Sequence, residues 1–245
     1  MESQQVIIVI PARYESSRFP GKPLALIAGE SMISRVWKRC CQALSASQVY
    51  VATDNERIRA HCEELGIQVV MTSSNCLTGT DRVYEVSQKI KADIYINVQG
   101  DEPLIEPDDI QTVIEKAKQN PSNIINAMCP IQTESDFYSS SVPKVVARPD
   151  GRLLYMSRAN IPTDKKLNFV SAKKQVCIYA FNQQSLVDFA SVDNKTPLEQ
   201  IEDIEILRFL ELGYEVNMVD VSSASIAVDF PEDVERVEGE LNVRS

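Results

Sequence analysis

The chain of 245 residues carries 25 Lys and Arg against 35 Asp and Glu, a formal net charge of −10, with 44% apolar and 24% charged residues. That balance argues against general nucleic-acid binding, which rests on an excess of cations over phosphates, and no apolar run approaches the ~20 residues of a membrane helix. Six cysteines without a CxxC pair, and a single histidine, His61, argue against zinc and against a Cys–His nucleophile pair. The leading MESQQ has no basic residue before its short apolar run, unlike a signal peptide, so a cytoplasmic protein with reduced thiols is expected.

VIIVI (6–10) is β-branched without polar alternation, the pattern of a strand covered on both faces. Residues 32–44 place Ile33, Val36, Trp37, Cys40 and Leu44 at helical spacing, which makes Trp37 a packing residue. A strand over 48–54, a helix over 55–66 and a strand over 67–72 follow. That helix opens at Asn55, closes at Gly66, and carries His61 on its surface with no assigned role. Then come a helix over 80–90, a strand from 92 that stops at GDEP, and a helix over 107–120 with Pro107 at its start. This β-α alternation marks an α/β fold: a mostly parallel, Rossmann-like nucleotide-binding sheet with helices on both faces.

From about 124 the rhythm changes. NIINAMCPI, PKVVARPDGRLLYMS and KKQVCIYAFN are strand-like, and PDG turns a hairpin in the second of them. Residues 185–192 and 198–213 read as helices, YEVNMVDVS as a late strand, and PEDVERVEGEL as a final helix with Pro231 first. The expectation is one domain over 1–245 with an antiparallel excursion in its second half.

Ligands of open α/β sheets bind outside the carboxyl ends of the strands. After the first strand stand Arg13, Ser16, Ser17, Arg18 and Lys22, in a loop with one glycine. After the third stand Thr72, Ser73, Gly79, Thr80, Asp81 and Arg82, and after the fourth Gln99, Gly100, Asp101 and Glu102. Parallel strands would bring these loops to one rim with four cations, several hydroxyls and an acidic pair. That set suits a nucleoside triphosphate with Mg²⁺. Each piece alone also has a plain structural reading: a solvated basic loop, a strand-capping DEP turn, and an aspartate, Asp229, at the entry of the last helix.

Together, IPARYESSRFPGKPL, VATD, VVMTSS…TGTDR, NVQGDEP, LLYMSRANIP, PLEQIEDIEILRFLELG and VDFPEDVERV, in that order, resemble the cytidylyltransferases that activate Kdo, 3-deoxy-manno-octulosonic acid. The resemblance covers nearly the whole chain. It implies transfer of CMP from CTP to Kdo with Mg²⁺, release of pyrophosphate, a role in lipopolysaccharide or capsule synthesis, and a homodimer. It also implies residue roles. Arg13, Ser17, Arg18 and Lys22 match the loop that holds the CTP phosphates. Thr72, Thr80 and Arg82 match the cytidine side, and Gln99 lies beside nucleotide and sugar. Asp101 and Asp229 match the metal ligands, so Asp101, Asp229, Lys22 and Arg13 would carry the chemistry. Arg158, Gln175, Tyr179 and Glu205 fall on the sugar side.

The sugar side also departs from the resembled pattern. Gln175 stands where the family has histidine, Cys177 where it has glycine, Phe181 where it has tyrosine and Ile206 where it has glutamine. Glutamine cannot take up charge near neutral pH as histidine can. The substitutions are compatible with Kdo, with its 8-amino-8-deoxy analogue, or with another 2-keto-3-deoxy sugar acid. A GT-A-like glycosyltransferase also joins such a sheet to an acidic metal motif, but the cationic loop after the first strand favours a triphosphate donor.

Overall fold

The structure is a computed structural model that describes residues 4–16, 18–222 and 225–244. Its strands are β1 (Val6–Pro11), β2 (Leu26–Ile27), β3 (Glu30–Ser31), β4 (Val49–Thr53), β5 (Gln68–Met71), β6 (Ile94–Val98), β7 (Ile124–Pro130), β8 (Lys144–Ala147), β9 (Leu153–Ser157), β10 (Lys173–Phe181) and β11 (Val216–Asp220). Its helices are α1 (Met32–Ala43), α2 (Glu56–Glu64), α3 (Gly79–Lys89), α4 (Pro107–Gln119), α5 (Glu134–Tyr138), α6 (Gln183–Ala190), α7 (Pro197–Glu202), α8 (Ile206–Glu211) and α9 (Asp233–Arg244).

The main sheet runs β11-β7-β10-β6-β1-β4-β5. Neighbours pair in parallel except at β10, which is antiparallel to both β6 and β7. The continuous apolar run of β1 follows from this position, because both of its faces are covered. Val6, Ile8 and Ile10 pack with Ile33 and Val36 of α1 and Ile110 and Val113 of α4. Ile7 and Val9 pack with Val83 and Val86 of α3, Leu186 and Phe189 of α6, and Phe209 of α8. The sheet is therefore sandwiched between two helical layers, as the alternation implies.

The ends of the helices are set by local chemistry. Ser31 accepts from Ser34 N to cap α1, and His61 Nε2 lies 2.8 Å from the same Ser31 hydroxyl. His61 thus points at the start of α1 rather than standing free on a surface. Thr78 and Asp81 form a reciprocal capping box at the start of α3. Pro231 does not open the last helix. The Asp233 carboxylate accepts from the backbone N–H groups of Asp229 and Phe230, so α9 starts at Asp233.

The hairpin of β8 and β9 attaches to the start of β10 through Lys173–Val145 and Lys174–Lys144. Its turn uses Gly151 at φ 90°, where a Cβ would lie 2.8 Å from the Met218 carbonyl oxygen of β11. Gly151→Ala is expected to cost about 1–3 kcal/mol, read as a lower melting temperature. An unchanged melting temperature would show that the turn tolerates a side chain there.

The largest difference from the expected elements lies over 198–213. One helix is expected, and two form. Asp203 takes the left-handed conformation, φ 52°, between α7 and α8. The break lets Ile206, Leu207 and Phe209 enter the core while Arg208, 1% exposed, folds back on Glu199 of α7. It also turns Glu205 toward the carboxyl rim of the sheet.

Candidate active site

Because β10 runs against its neighbours, its first residues lie at the same rim as the last residues of β6 and β7. That rim holds two adjoining cavities of about 310 and 260 Å³. Arg18, Gln99, Asp101, Asp203 and Glu205 line both, so the two are lobes of one cleft.

The smaller lobe sits at the ends of β1 and β6. Arg13, Arg18, Lys22, Gly79 and Arg82 line it. Gly100 lets the β6 end pass the β1 end closely, since a Cβ there would meet the Pro11 carbonyl oxygen at 2.9 Å. The neck of the basic loop is tied by Gly21 N–H donating to Tyr14 O at 2.8 Å. Arg57 of α2 holds the Tyr14 hydroxyl at 2.9 Å and lies over its ring. Ser17 lies outside the described residues.

The cations of this lobe differ in their commitments. Lys22 Nζ donates to Asp101 Oδ2 and to Val228 O, both at 2.9 Å. Arg18 pairs with Asp229 Oδ1 at 3.0 Å and lies over the Phe230 ring. Arg13 is exposed on the rim. Arg82, 4% exposed, is turned inward: it donates to Thr72 Oγ1, to Ser73 O and to Asp54 Oδ2. Thr72 and Thr80 are buried behind the lobe rather than lining it. Thr72 braces Arg82, and Thr80 N–H donates to Glu205 Oε2 at 2.8 Å.

Asp101, after β6, and Asp229, in the segment before α9, reach the same lobe because those two segments are stitched together. Val228 N–H donates to Asp101 O at 2.9 Å, and Lys22 links the Asp101 carboxylate to the Val228 carbonyl. Both carboxylates line the larger lobe. Glu102, beside them, is buried and accepts from Cys177 N–H. Burial, and after it the neighbouring Asp101 charge, raises the Glu102 carboxyl above the usual carboxylate range.

The larger lobe also takes Arg158, Lys174, Gln175 and Tyr179 in its wall. Arg158 is a clamp: its guanidinium donates to the carbonyls of Glu202, Ser140 and Asp203. Beside it the fully buried Lys144 donates to the carbonyls of Ser139, Val142 and Arg158 at 2.7 to 2.9 Å. Tyr179 is 3% exposed, and burial pushes its phenol well above its ordinary pKa. Glu205 stands between the lobes. It accepts from Gln99 Nε2 at 3.2 Å and from Thr80 N–H at the start of α3. Burial raises its carboxyl while the Thr80 donors oppose that.

The structure thus gathers Arg13, Arg18, Lys22, Arg82, Gln99, Asp101, Asp229, Arg158, Gln175, Tyr179 and Glu205 around one cleft. Sequence reasoning missed Asp203, which needs the helix break to reach the rim, and Lys174. It also missed Asn126, whose signal, one amide in an apolar strand (IINAMCP), is visible in the sequence.

A cation-lined lobe at the end of β1, opening past an acid pair onto a second polar lobe, defines a nucleotidyltransferase, and a family model described as cytidylyltransferase matches residues 7–220. The chain is 41% identical to the 3-deoxy-manno-octulosonate cytidylyltransferase of Myxococcus xanthus, covering 100% of this chain and 99% of that one. It is 36% identical to the Escherichia coli enzyme of the same name, over 95% and 94% of the two chains. A solved structure of CMP:2-keto-3-deoxy-manno-octonic acid synthetase complexed with CTP superposes at a TM-score of 0.91, with 35% identity over 98% of this chain and 100% of that one. The chain belongs to the 3-deoxy-manno-octulosonate cytidylyltransferase family. Among the described residues no helix is long and apolar enough to cross a membrane.

Proposed function

We propose that the protein transfers CMP from CTP to 3-deoxy-manno-octulosonic acid or a close analogue, releasing pyrophosphate and supplying a CMP-sugar for lipopolysaccharide or capsule synthesis. The observation that carries this reading is the two-lobed cleft. Its cationic lobe suits a triphosphate, its second lobe suits a polyhydroxylated acid, and Gln99, Asp101 and Glu205 stand where the two would meet.

The residues divide the work as follows. Arg13, Arg18 and Lys22, with Ser17 in the same loop, hold the triphosphate and neutralise charge on the leaving pyrophosphate. Phosphoryl transfer needs positioning and charge neutralisation more than covalent help from the protein. Arg82, Thr72 and Thr80 shape the nucleotide side from behind. Gln99 and Glu205 set the sugar against the α-phosphate, and Arg158, Gln175 and Tyr179 line the place of its acid and hydroxyl groups. The anomeric hydroxyl of the sugar attacks the α-phosphorus, the bond to the β-phosphate oxygen breaks, and pyrophosphate leaves.

Asp101 and Asp229 fit a Mg²⁺ ion. Among the described residues no group of three or more His, Cys, Asp or Glu side chains forms a ready cage. Two carboxylates beside a phosphate lobe are what Mg²⁺ uses, with phosphate oxygens and water completing its shell. When bound, the ion neutralises phosphate charge and lowers the pKa of the attacking hydroxyl. In the free protein Lys22 and Arg18 neutralise the same two carboxylates.

A cytoplasmic homodimer belongs to the same reading. In that reading the contact falls on the antiparallel excursion of the second half, which includes the β8–β9 hairpin and its exposed Leu154. Sedimentation of the purified chain at twice the monomer mass supports it, and a monomer at working concentration removes it. The activity is tested by CTP-dependent pyrophosphate release with Kdo, its 8-amino-8-deoxy analogue and N-acetylneuraminate. Release with an octulosonic acid is expected, and release with none of the three overturns the reading.

A further inference from the structure

β10 carries an irregularity between Val176 and Tyr179 where it runs beside β7. The place is held by Asn126 of β7, which is fully buried. Its Nδ2 donates to Val176 O at 3.0 Å and to Ile178 O at 2.9 Å. Its Oδ1 accepts from Gln175 Nε2 at 2.9 Å.

The direction of this short relay is fixed by chemistry. Carbonyl oxygens only accept, so the Asn126 face toward Val176 and Ile178 has to be the NH₂ group. Turning the amide over would take this donor from both carbonyls and set a third acceptor against them. Asn126 therefore presents oxygen to Gln175, and Gln175 has to answer with its own NH₂ group. Its Oε1 is left over. Gln175 lines the larger lobe, and among the described residues no donor reaches that oxygen.

We propose that Asn126 is a positioning residue that locks Gln175 as an acceptor, and that Gln175 Oε1 selects sugar acids presenting a hydrogen-bond donor at that point of the lobe. The inference rests on the proposed sugar-acid reading and adds the polarity of one contact. A hydroxyl and a protonated amine both supply the donor. An ether oxygen does not, and neither does a position that carries only hydrogen. The family's histidine at this position both donates and accepts in its neutral form, or only donates when protonated. A fixed glutamine accepts only, so the wall is tuned in one direction.

The test measures pyrophosphate release by the parent chain, Gln175→Met and Asn126→Ala. The sugars are Kdo, its 8-amino-8-deoxy analogue, and Kdo analogues in which each distal hydroxyl in turn is replaced by hydrogen or methoxy. The parent chain is expected to show a KM about 10- to 100-fold higher for the analogues altered at one position, the loss that follows an unmet buried polar group. Gln175→Met is expected to raise the KM for the preferred sugar by a similar factor, to leave the KM for CTP unchanged, and to stop discriminating at that position. Asn126→Ala, which frees the Gln175 amide to rotate, is expected to raise the sugar KM in the same selective way. A lower KM for the amine than for Kdo names a protonated amine as the donor, and the reverse names a hydroxyl.

The inference is overturned if Gln175→Met leaves the sugar KM unchanged, or raises it by one common factor for every analogue, as a packing defect would. Gln175 sits half-buried in the cavity wall, so this variant decides the matter even if Asn126→Ala fails to fold. Release with no sugar acid at all in the parent chain would instead sink the underlying reading, and this inference with it.

Discussion

Asp101→Ala and Asp229→Ala are each expected to lose pyrophosphate release to background, a fall of at least about 10³-fold, while the fold survives. In the proposed mechanism the two carboxylates are the hard oxygen ligands, so either loss would remove half of the protein's hold on the metal ion. Stability should barely change. The side chains are 29% and 28% exposed in their pairs with Lys22 and Arg18, and such partly solvated pairs contribute about 0–1 kcal/mol. The stitch between Val228 N–H and Asp101 O is backbone and remains in both variants. Activity and a thermal melt of each variant check the claim together. Full activity in either would remove that residue from the metal site, and a collapsed melt would reassign it to structure.

The largest effect on stability is expected at Arg208. Its guanidinium is 1% exposed and donates twice to Glu199, through Nε at 2.6 Å and Nη2 at 2.8 Å. Nη1 reaches Phe189 O and Asp81, and the group lies 3.7 Å from the Phe189 ring centroid. Glu199 is itself fully buried and closes the capping box of α7. Arg208→Met keeps the bulk but leaves a buried carboxylate without its cation, at a cost of about 3–5 kcal/mol. For a chain of this size that is a drop of roughly 6–20 °C in melting temperature. The double variant Arg208→Met/Glu199→Gln is expected to recover part of the loss, because it removes the stranded charge. Equal melting temperatures for parent and Arg208→Met would show that the pair contributes nothing. Asp81 caps α3 at the cationic lobe, so the single variant should also raise the KM for CTP.

Much of the layered architecture was legible because period and burial agree. The unbroken β-branched run of β1 requires two covered faces, and the structure puts α1 and α4 on one and α3, α6 and α8 on the other. The rim loops were legible for the same reason, since parallel strands leave their carboxyl ends on one side. The direction of β10 was not legible. Nothing in KKQVCIYAF tells that it enters the sheet between β6 and β7 against their sense, yet that reversal brings Gln175 and Tyr179 to the cleft. The split of 198–213 was hidden because the segment is rich in Leu and Glu and has no Pro or Gly before Gly213, and tertiary demand overrides local preference. Burying Arg208 on Glu199 and Phe209 in the core requires a change of axis, which Asp203 absorbs. Arg82 was legible as a cation of this rim, but its commitment to Thr72, Ser73 and Asp54 depends on distances that spacing does not encode.

The reversed entry of β10 also sets an order of events on the ribosome. β1, β4, β5 and β6 are complete by residue 98, but β6 keeps an open edge until residues 173–181 emerge. At bacterial and eukaryotic elongation rates that edge waits roughly 4–17 s. The cationic lobe, drawn largely from the first half of the chain, has its framework early. The second lobe needs β7, β10, the segment after α7 and finally Asp229, so it closes last. The chain's most exposed moment therefore falls while the middle of its sheet is still missing, and the two lobes of its cleft are finished at different times.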